Sequence, residues 1–124
     1  MSQDIVADAL NDIMNANQAG REEATINWHS KLLMNILDIA KERGYIEKYK
    51  VKGEKMEVEI GDLNKCQSIK PRFPVNNDNL DRFIRRYLPS RKFGILIVTT
   101  SKGLMTHEEA KEEGIGGSLI AYFY

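Results

Sequence analysis

Residues 93–110 of the 124-residue chain read FGILIVTTSKGLMTHEEA, and this stretch decides the expected fold of the C-terminal half. Its first part, residues 93–98, is a continuous apolar run with the length and β-branched content of a buried strand. Thr106 is followed three residues later by Glu109, the capping-box spacing that marks the start of a helix. The residues between the strand and the helix are therefore predicted to form a polar loop on a rigid frame.

Three consecutive hydroxyl side chains, Thr99, Thr100 and Ser101, lie in this predicted loop, followed by Lys102 and Gly103. Each hydroxyl can both donate and accept a hydrogen bond. Such groups suit a partner that presents mixed donors and acceptors, as nucleotide bases and riboses do. The loop is therefore a candidate contact surface for nucleic acid.

The N-terminal part, residues 1–63, is predicted to form a lobe in the order helix, strand, helix, strand, strand. Apolar residues recur at helical spacing in the first helix. Ser30 stands at the N-cap position of the second helix, which Gly44 ends. Alternation of apolar and charged residues over 56–60 indicates a hairpin strand with one wet face.

The C-terminal part, residues 64–124, is predicted to be mostly β with short helices. A strand over residues 66–69 should end before Pro71 and Pro74, because proline donates no ladder hydrogen bond and cannot continue a central strand. A helical stripe over residues 80–88 precedes the buried strand. The predicted fold class is α+β, with two small abutting lobes.

The charges are unevenly distributed along a chain whose 18 basic and 18 acidic side chains cancel. Residues 1–64 carry 8 basic and 12 acidic groups, a net charge of −4, and residues 104–124 carry 1 and 4, a net charge of −3. Residues 65–103 carry 9 and 2, a net charge of +7. This charge distribution is consistent with a cationic binding surface beside the hydroxyl groups. It is equally consistent with an ordinary solvated surface.

The residue types argue against several classes of protein. The single Cys66 allows no internal disulfide, and His29 and His107 lack the spacing of a metal site, so we expect no metal or cofactor. No apolar run is long enough to span a bilayer, and the first residues are acidic where a signal peptide needs basic ones, which predicts a soluble, cytoplasmic protein. Ser101 has no identifiable base beside it, so no catalytic residue and no small-molecule substrate are predicted.

Some conspicuous residues are assigned structural roles. The glycines of residues 114–117 are predicted to form a helix C-cap and turn, because the order helix to strand is the reverse of that in a phosphate cradle. His107 is predicted to be exposed, and Cys66 to pack as a small apolar residue. Trp28, Tyr45 and Tyr87 are expected in the core.

Several segments together resemble the small-subunit ribosomal protein eight family, in particular its archaeal and eukaryotic branches. They are VADALNDIMNA near the start, SKLLMNILDIAKERGYI, KCQSIKPRFPV, RYLPSRKFGILIV, and TTSKGLMTHEEA followed by GIGGSLIAYFY. The resemblance implies the two-lobed α+β fold and a structural constituent of the small ribosomal subunit. It also implies direct binding to the central domain of small-subunit rRNA, with other small-subunit ribosomal proteins as further partners.

The resemblance also implies which residues contact RNA. The RNA-contacting loop of the family matches Thr99 to Gly103, and a Ser-Lys pair that contacts the RNA backbone matches Ser30 and Lys31. Ser118 stands where bacterial relatives often have glutamate, and it is also a predicted RNA contact because a serine can still hydrogen-bond. The resulting prediction is that the cations neutralise phosphates while the loop hydroxyls read displaced bases and the minor groove. The cations are Lys31, Lys70, Arg72 and Lys102.

An alternative reading makes the chain a protein-interaction module. In that case the +7 segment docks on an acidic protein partner, and residues 99–103 are only a turn. RNA-binding measurements distinguish the two readings.

Overall fold

A computed structural model describes residues 4–90 and 92–124 of the chain. Helices and strands alternate irregularly along it, which confirms the predicted α+β class. In chain order the elements are α1 (Ile5–Gln18), β1 (Glu23–Ile26), α2 (Lys31–Glu42), β2 (Ile46–Lys52), β3 (Lys55–Ile60), β4 (Cys66–Val75), α3 (Leu80–Tyr87), β5 (Ile95–Thr100), β6 (Gly103–Thr106), α4 (His107–Glu113) and β7 (Gly117–Phe123). The chain divides into two compact units, Met1–Gln67 and Ser68–Tyr124.

The first unit contains α1, α2 and an antiparallel sheet with strand order β1-β3-β2. Helix α2 begins at the predicted N-cap residue Ser30, and α1 begins after Asp4. The Asp4 carboxylate accepts from the Ala7 N–H at 3.0 Å, and the Ser30 hydroxyl accepts from the Leu33 N–H at 3.2 Å. Each cap satisfies an amide that has no partner inside its helix.

The predicted β2–β3 hairpin is present, and its two faces differ as expected. Met56 and Val58 are buried, whereas Glu57 between them and its pairing partner Lys50 are exposed. Cys66 packs as a small apolar residue, as predicted, and its thiol donates to the Leu10 carbonyl at a sulfur–oxygen distance of 3.6 Å. Burial raises the pKa of the Cys66 thiol to about 12.

The second unit is built on a four-stranded sheet with strand order β4-β7-β5-β6. The central strand β5 is buried from Ile95 to Val98, as its apolar sequence predicts. Leu96, Val98 and Leu119 pack on one face of this sheet with residues from α3 and β4. The opposite face is therefore left for the alternate residues of the same strands.

Strand β4 is longer than predicted, because it continues through both prolines to Val75. It lies at the edge of its sheet, where one side of the strand has no ladder partner. Edge strands tolerate proline better than central strands do, because an N–H on the open side of the strand makes no ladder hydrogen bond. The prediction that this segment is not a central strand is consistent with the structure, but the predicted end at residue 69 is wrong.

The predicted polar loop is instead the turn of a tight hairpin. Strand β5 runs to Thr100, and Thr100 pairs with Gly103 at the start of β6, so only Ser101 and Lys102 form the turn. Gly103 has a φ of 106°, a conformation that residues with a Cβ rarely adopt. Strand β6 was missed because it has four residues and a mixed polar and apolar sequence.

Two side chains lie in environments opposite to those predicted. His107 is 2% exposed, and its Nδ1 accepts from the Leu96 N–H at 3.1 Å, so it satisfies a buried amide and is not a surface residue. Trp28 is 59% exposed and is not a core residue. Tyr45 and Tyr87, also expected in the core, are only partly buried.

The predicted turn after α4 is confirmed at Gly114, whose φ of 68° caps the helix in the left-handed region. Gly117 has a different role, since a Cβ there would lie 2.1 Å from the Thr99 carbonyl oxygen. A larger residue would therefore separate β7 from β5. The close approach of these two strands positions the polar residues considered next.

Candidate nucleic-acid interface

Thr99 and Ser118 are direct neighbours across two central strands. Thr99 on β5 pairs with Ser118 on β7 and with Leu104 on β6. Val98 and Leu119 point into the core cluster, so Thr99 and Ser118 point to the opposite face of the sheet. Both side chains are partly exposed. The structure thus brings together two predicted site residues that lie 19 positions apart in the chain.

Lys70 and Arg72 belong to the same face of this sheet. Ile69 and Phe73 pack with the core cluster from β4, so the alternate residues Lys70 and Arg72 project away from it. Both are exposed, and β4 is the neighbour of β7. We call the surface formed by Lys70, Arg72, Thr99 and Ser118 the polar sheet face.

The hydroxyls of the β5–β6 turn are not equivalent. The Thr100 hydroxyl donates to the Gly103 carbonyl at 2.9 Å and accepts from the Lys102 N–H at 3.1 Å, so it holds the turn together. Ser101 is exposed, and in the part of the chain that the structure describes its hydroxyl has no hydrogen-bond partner. Of the two turn hydroxyls, Ser101 is therefore the one open to a ligand.

Lys102 is held near an acidic side chain. Its Nζ lies 3.6 Å from Glu113 Oε1, and both side chains are well exposed. Exposed ion pairs of this kind contribute about 0–1 kcal/mol. A phosphate can therefore compete with Glu113 for the ammonium group.

Ser30 and Lys31 lie in the first unit, at the start of α2. The Ser30 hydroxyl accepts from the Leu33 amide, which leaves its own O–H free to donate to a phosphate oxygen. Lys31 is the first residue of the helix and is exposed. Capping and RNA contact by Ser30 are thus compatible.

A group of arginines on α3 was not included among the predicted contacts. Arg82, Arg85 and Arg86 are exposed on the side of α3 away from the core. The Arg86 guanidinium lies over the rings of Phe73 and Tyr87, 5.3 Å from each centroid. The sequence signal for this surface was the arginine spacing of three and four residues on a short helix.

Phe73, an aromatic residue of β4 near these arginines, is already packed within the protein. Its ring lies 5.3 Å from that of Phe83, and its other neighbour is the Arg86 guanidinium. The Phe73 ring is therefore already in contact with other side chains of the protein. Phe73 is therefore better assigned to the edge of the core.

The described residues offer neither a metal site nor a membrane-spanning helix. Among residues 4–90 and 92–124, no group of three or more potential ligands is placed to hold a metal ion. No described helix is long and apolar enough to cross a membrane.

The fold and the polar sheet face define a small α+β protein whose surface chemistry suits nucleic acid. Comparison with known proteins identifies the family: the chain matches the family described as ribosomal protein S8 over residues 4–124, and it belongs to that family. This confirms the resemblance found in the sequence.

Curated relatives match over the whole length of both chains. Proteins named small ribosomal subunit protein uS8 from Picrophilus torridus and from Nanoarchaeum equitans are each 43% identical to this chain, and the one from Thermoplasma volcanium is 42% identical. Each alignment covers 100% of this chain and 100% of the relative. The family consists of ribosomal structural proteins and is not a family of enzymes.

Proposed function

We propose that this protein is a structural constituent of the small ribosomal subunit that binds the central domain of small-subunit rRNA directly and helps that RNA to assemble. Membership of the S8 family supports a place in the small subunit, in the cytoplasm, with rRNA and other ribosomal proteins as partners. The observation that carries direct RNA binding is the polar sheet face, where two cations and two hydroxyls share one side of a rigid sheet.

The mechanism separates positioning from recognition. Lys70, Arg72 and Lys102 neutralise phosphates and orient the protein on the RNA helix, as does Lys31 in the first unit. The hydroxyls of Thr99, Ser101 and Ser118 hydrogen-bond to riboses and base edges, which are accessible in the shallow minor groove and where bases leave the helix. Thr100 and Gly103 keep the turn in shape.

The test is a filter-binding titration of a central-domain rRNA fragment with tRNA as competitor. The parent protein should retain the fragment against the competitor. Lys70→Ala and Arg72→Ala should weaken binding to the fragment and to tRNA by similar factors, because phosphate contacts carry no sequence information. The ratio of the two affinities should barely change.

Lys111→Ala is the matched control, because Lys111 is an exposed lysine that lies in α4 and pairs with Asp81 at 3.4 Å. It should leave RNA binding close to that of the parent. If the parent showed no preference for the rRNA fragment over tRNA, direct central-domain binding would be wrong. Retention of an acidic protein partner after nuclease treatment would then favour the protein-interaction alternative.

A further inference from the structure

Trp28 is an aromatic residue whose side chain is largely exposed. It is 59% exposed, and it lies in the segment between β1 and the Ser30 cap of α2. It is also the only tryptophan in the chain. Because it lies next to the predicted RNA contacts Ser30 and Lys31, its exposed ring is available for stacking on a base.

The segment that carries Trp28 is fixed to the β2–β3 hairpin. The adjacent His29 donates from Nε2 to the Gly53 carbonyl in the hairpin turn, at 2.9 Å. On that side Trp28 borders an open groove that it shares with Asn27, Lys52 and Lys55. The segment that carries Trp28 is thus anchored beside two cations before any ligand binds.

The positions of Lys52 and Lys55 are expected to destabilise the hairpin when no ligand is bound. Lys52 and Lys55 are directly opposite each other where the hairpin begins to turn, and like charges in that position destabilise a strand pair. Lys52 is paired with Glu57 at 3.2 Å, but Lys55 has no acidic partner among the described residues. Two lysines and one glutamate, Glu54, line the groove, so the net charge of the groove is positive. An anionic ligand would relieve the repulsion.

On another side, Trp28 borders a cleft that is acidic. Asp8 and Asp12 of α1 line it, and burial together with the charge of Asp8 raises the pKa of the Asp12 carboxyl. In the described residues neither carboxylate has an ion-pair partner. The two carboxylates repel phosphates from this cleft, which favours approach of a nucleic acid from the lysine side.

We propose that Trp28 stacks on an unpaired rRNA base, with Lys52 and Lys55 holding the neighbouring phosphates. This extends the contact expected at Ser30 and Lys31, and it rests on the proposed RNA-binding function. Base–aromatic stacking is insensitive to base identity, because every base has a π-face. The Asn27 amide, at the same groove, offers a donor and an acceptor to the edge of the stacked base.

The single tryptophan allows a direct measurement. Stacking on a base should quench Trp28 fluorescence when the parent protein is titrated with a central-domain rRNA fragment, at the concentrations where filter binding saturates. Trp28→Leu keeps an apolar side chain but removes the ring, and it should weaken binding about tenfold. Trp28→Phe retains a stacking surface and should bind nearly as well as the parent. Thermal melting should show that both variants are folded, because the side chain is exposed.

The outcomes separate this inference from the proposed function. If the parent binds the fragment but its fluorescence does not change, or if Trp28→Leu binds as well as the parent, the stacking role is wrong and the RNA-binding function stands. If fluorescence responds to an arginine-rich peptide and not to the fragment, the acidic side is a protein-docking surface and the stacking role is again wrong. If the parent does not bind the fragment, both proposals fall.

Discussion

At the scale of single residues, the residue types of the candidate site could be predicted from the sequence. Which of their side chains remain free to bind a ligand could not. The hydroxyl run from Thr99 to Ser101 is evident in the sequence. Which hydroxyl remains open depends on the turn, in which Thr100 bonds to Gly103 and Lys102. The burial of His107 could not be predicted for the same reason, because the amide that hydrogen-bonds to its Nδ1 belongs to Leu96 on a neighbouring strand.

Ser101→Ala should separate RNA binding from stability. The side chain is exposed, so the free energy of unfolding should change by less than about 0.5 kcal/mol. Specific RNA binding should weaken by about 1–3 kcal/mol, because a base or ribose group is left unpaired at the interface. Urea denaturation and titration of the rRNA fragment measure the two quantities.

Thr100→Val is the control for this prediction. It removes a hydroxyl that makes two hydrogen bonds within the turn, so it should lower stability by about 1 kcal/mol. Equal RNA affinity of Ser101→Ala and the parent would remove Ser101 from the recognition surface.

Cys66 should make stability depend on alkaline pH. Burial raises the pKa of its thiol from 9.0 to about 12 in the folded protein, whereas the unfolded thiol ionises near the ordinary value. Between these two pKa values the unfolded state binds fewer protons, so stability falls as the pH rises above about 9. Below pH 9 both states are protonated and the thiol has no effect.

The measurement compares the parent with Cys66→Ala by urea denaturation at pH 7 and pH 10. The loss of stability between the two pH values should be smaller in the variant, by about 1 kcal/mol. A loss of the same size in both proteins would show that the thiol does not contribute.

At the scale of elements, periodicity and capping were reliable, while short strands and strand ends were not. The stripes of α1 and α2 and the capping box of α4 are local patterns, and each is present in the structure. Strand β6 and the second half of β4 depend on which strand lies beside them, and that information is not local. Only the position of β4 at the sheet edge explains its prolines.

The capping box of α4 gives a prediction at this scale. The Thr106 hydroxyl accepts from the Glu109 N–H at 3.3 Å, and Glu109 Oε1 accepts from the Thr106 N–H at 3.2 Å. Thr106→Ala should therefore lower the free energy of unfolding by about 1 kcal/mol. Binding of the rRNA fragment by the folded variant should be unchanged, since no residue of α4 is among the proposed RNA contacts.

Glu109→Gln is the matched variant, because the amide oxygen of glutamine can accept from the same Thr106 N–H. It should cost much less stability than Thr106→Ala, as measured by thermal or urea denaturation. A direct loss of RNA affinity in Thr106→Ala at full folding would mean that the start of α4 belongs to the interface.

At the scale of the whole molecule, the neutral net charge conceals how the charge is placed. The +7 segment, residues 65–103, contributes Lys70 and Arg72 to the polar sheet face and three exposed arginines to α3. The segment could be found by counting charges, whereas the shared face required the strand order β4-β7-β5-β6. The exposure of Trp28 was not predictable either, because aromatic residues are usually packed.

Direct and specific binding to the central domain of small-subunit rRNA can be tested by hydroxyl-radical footprinting of the complete small-subunit rRNA, with and without the purified protein. We expect protection confined to one irregular helical region of the central domain, and reduced protection there in Ser101→Ala. Protection absent from the central domain, or spread without preference along the RNA, would contradict it.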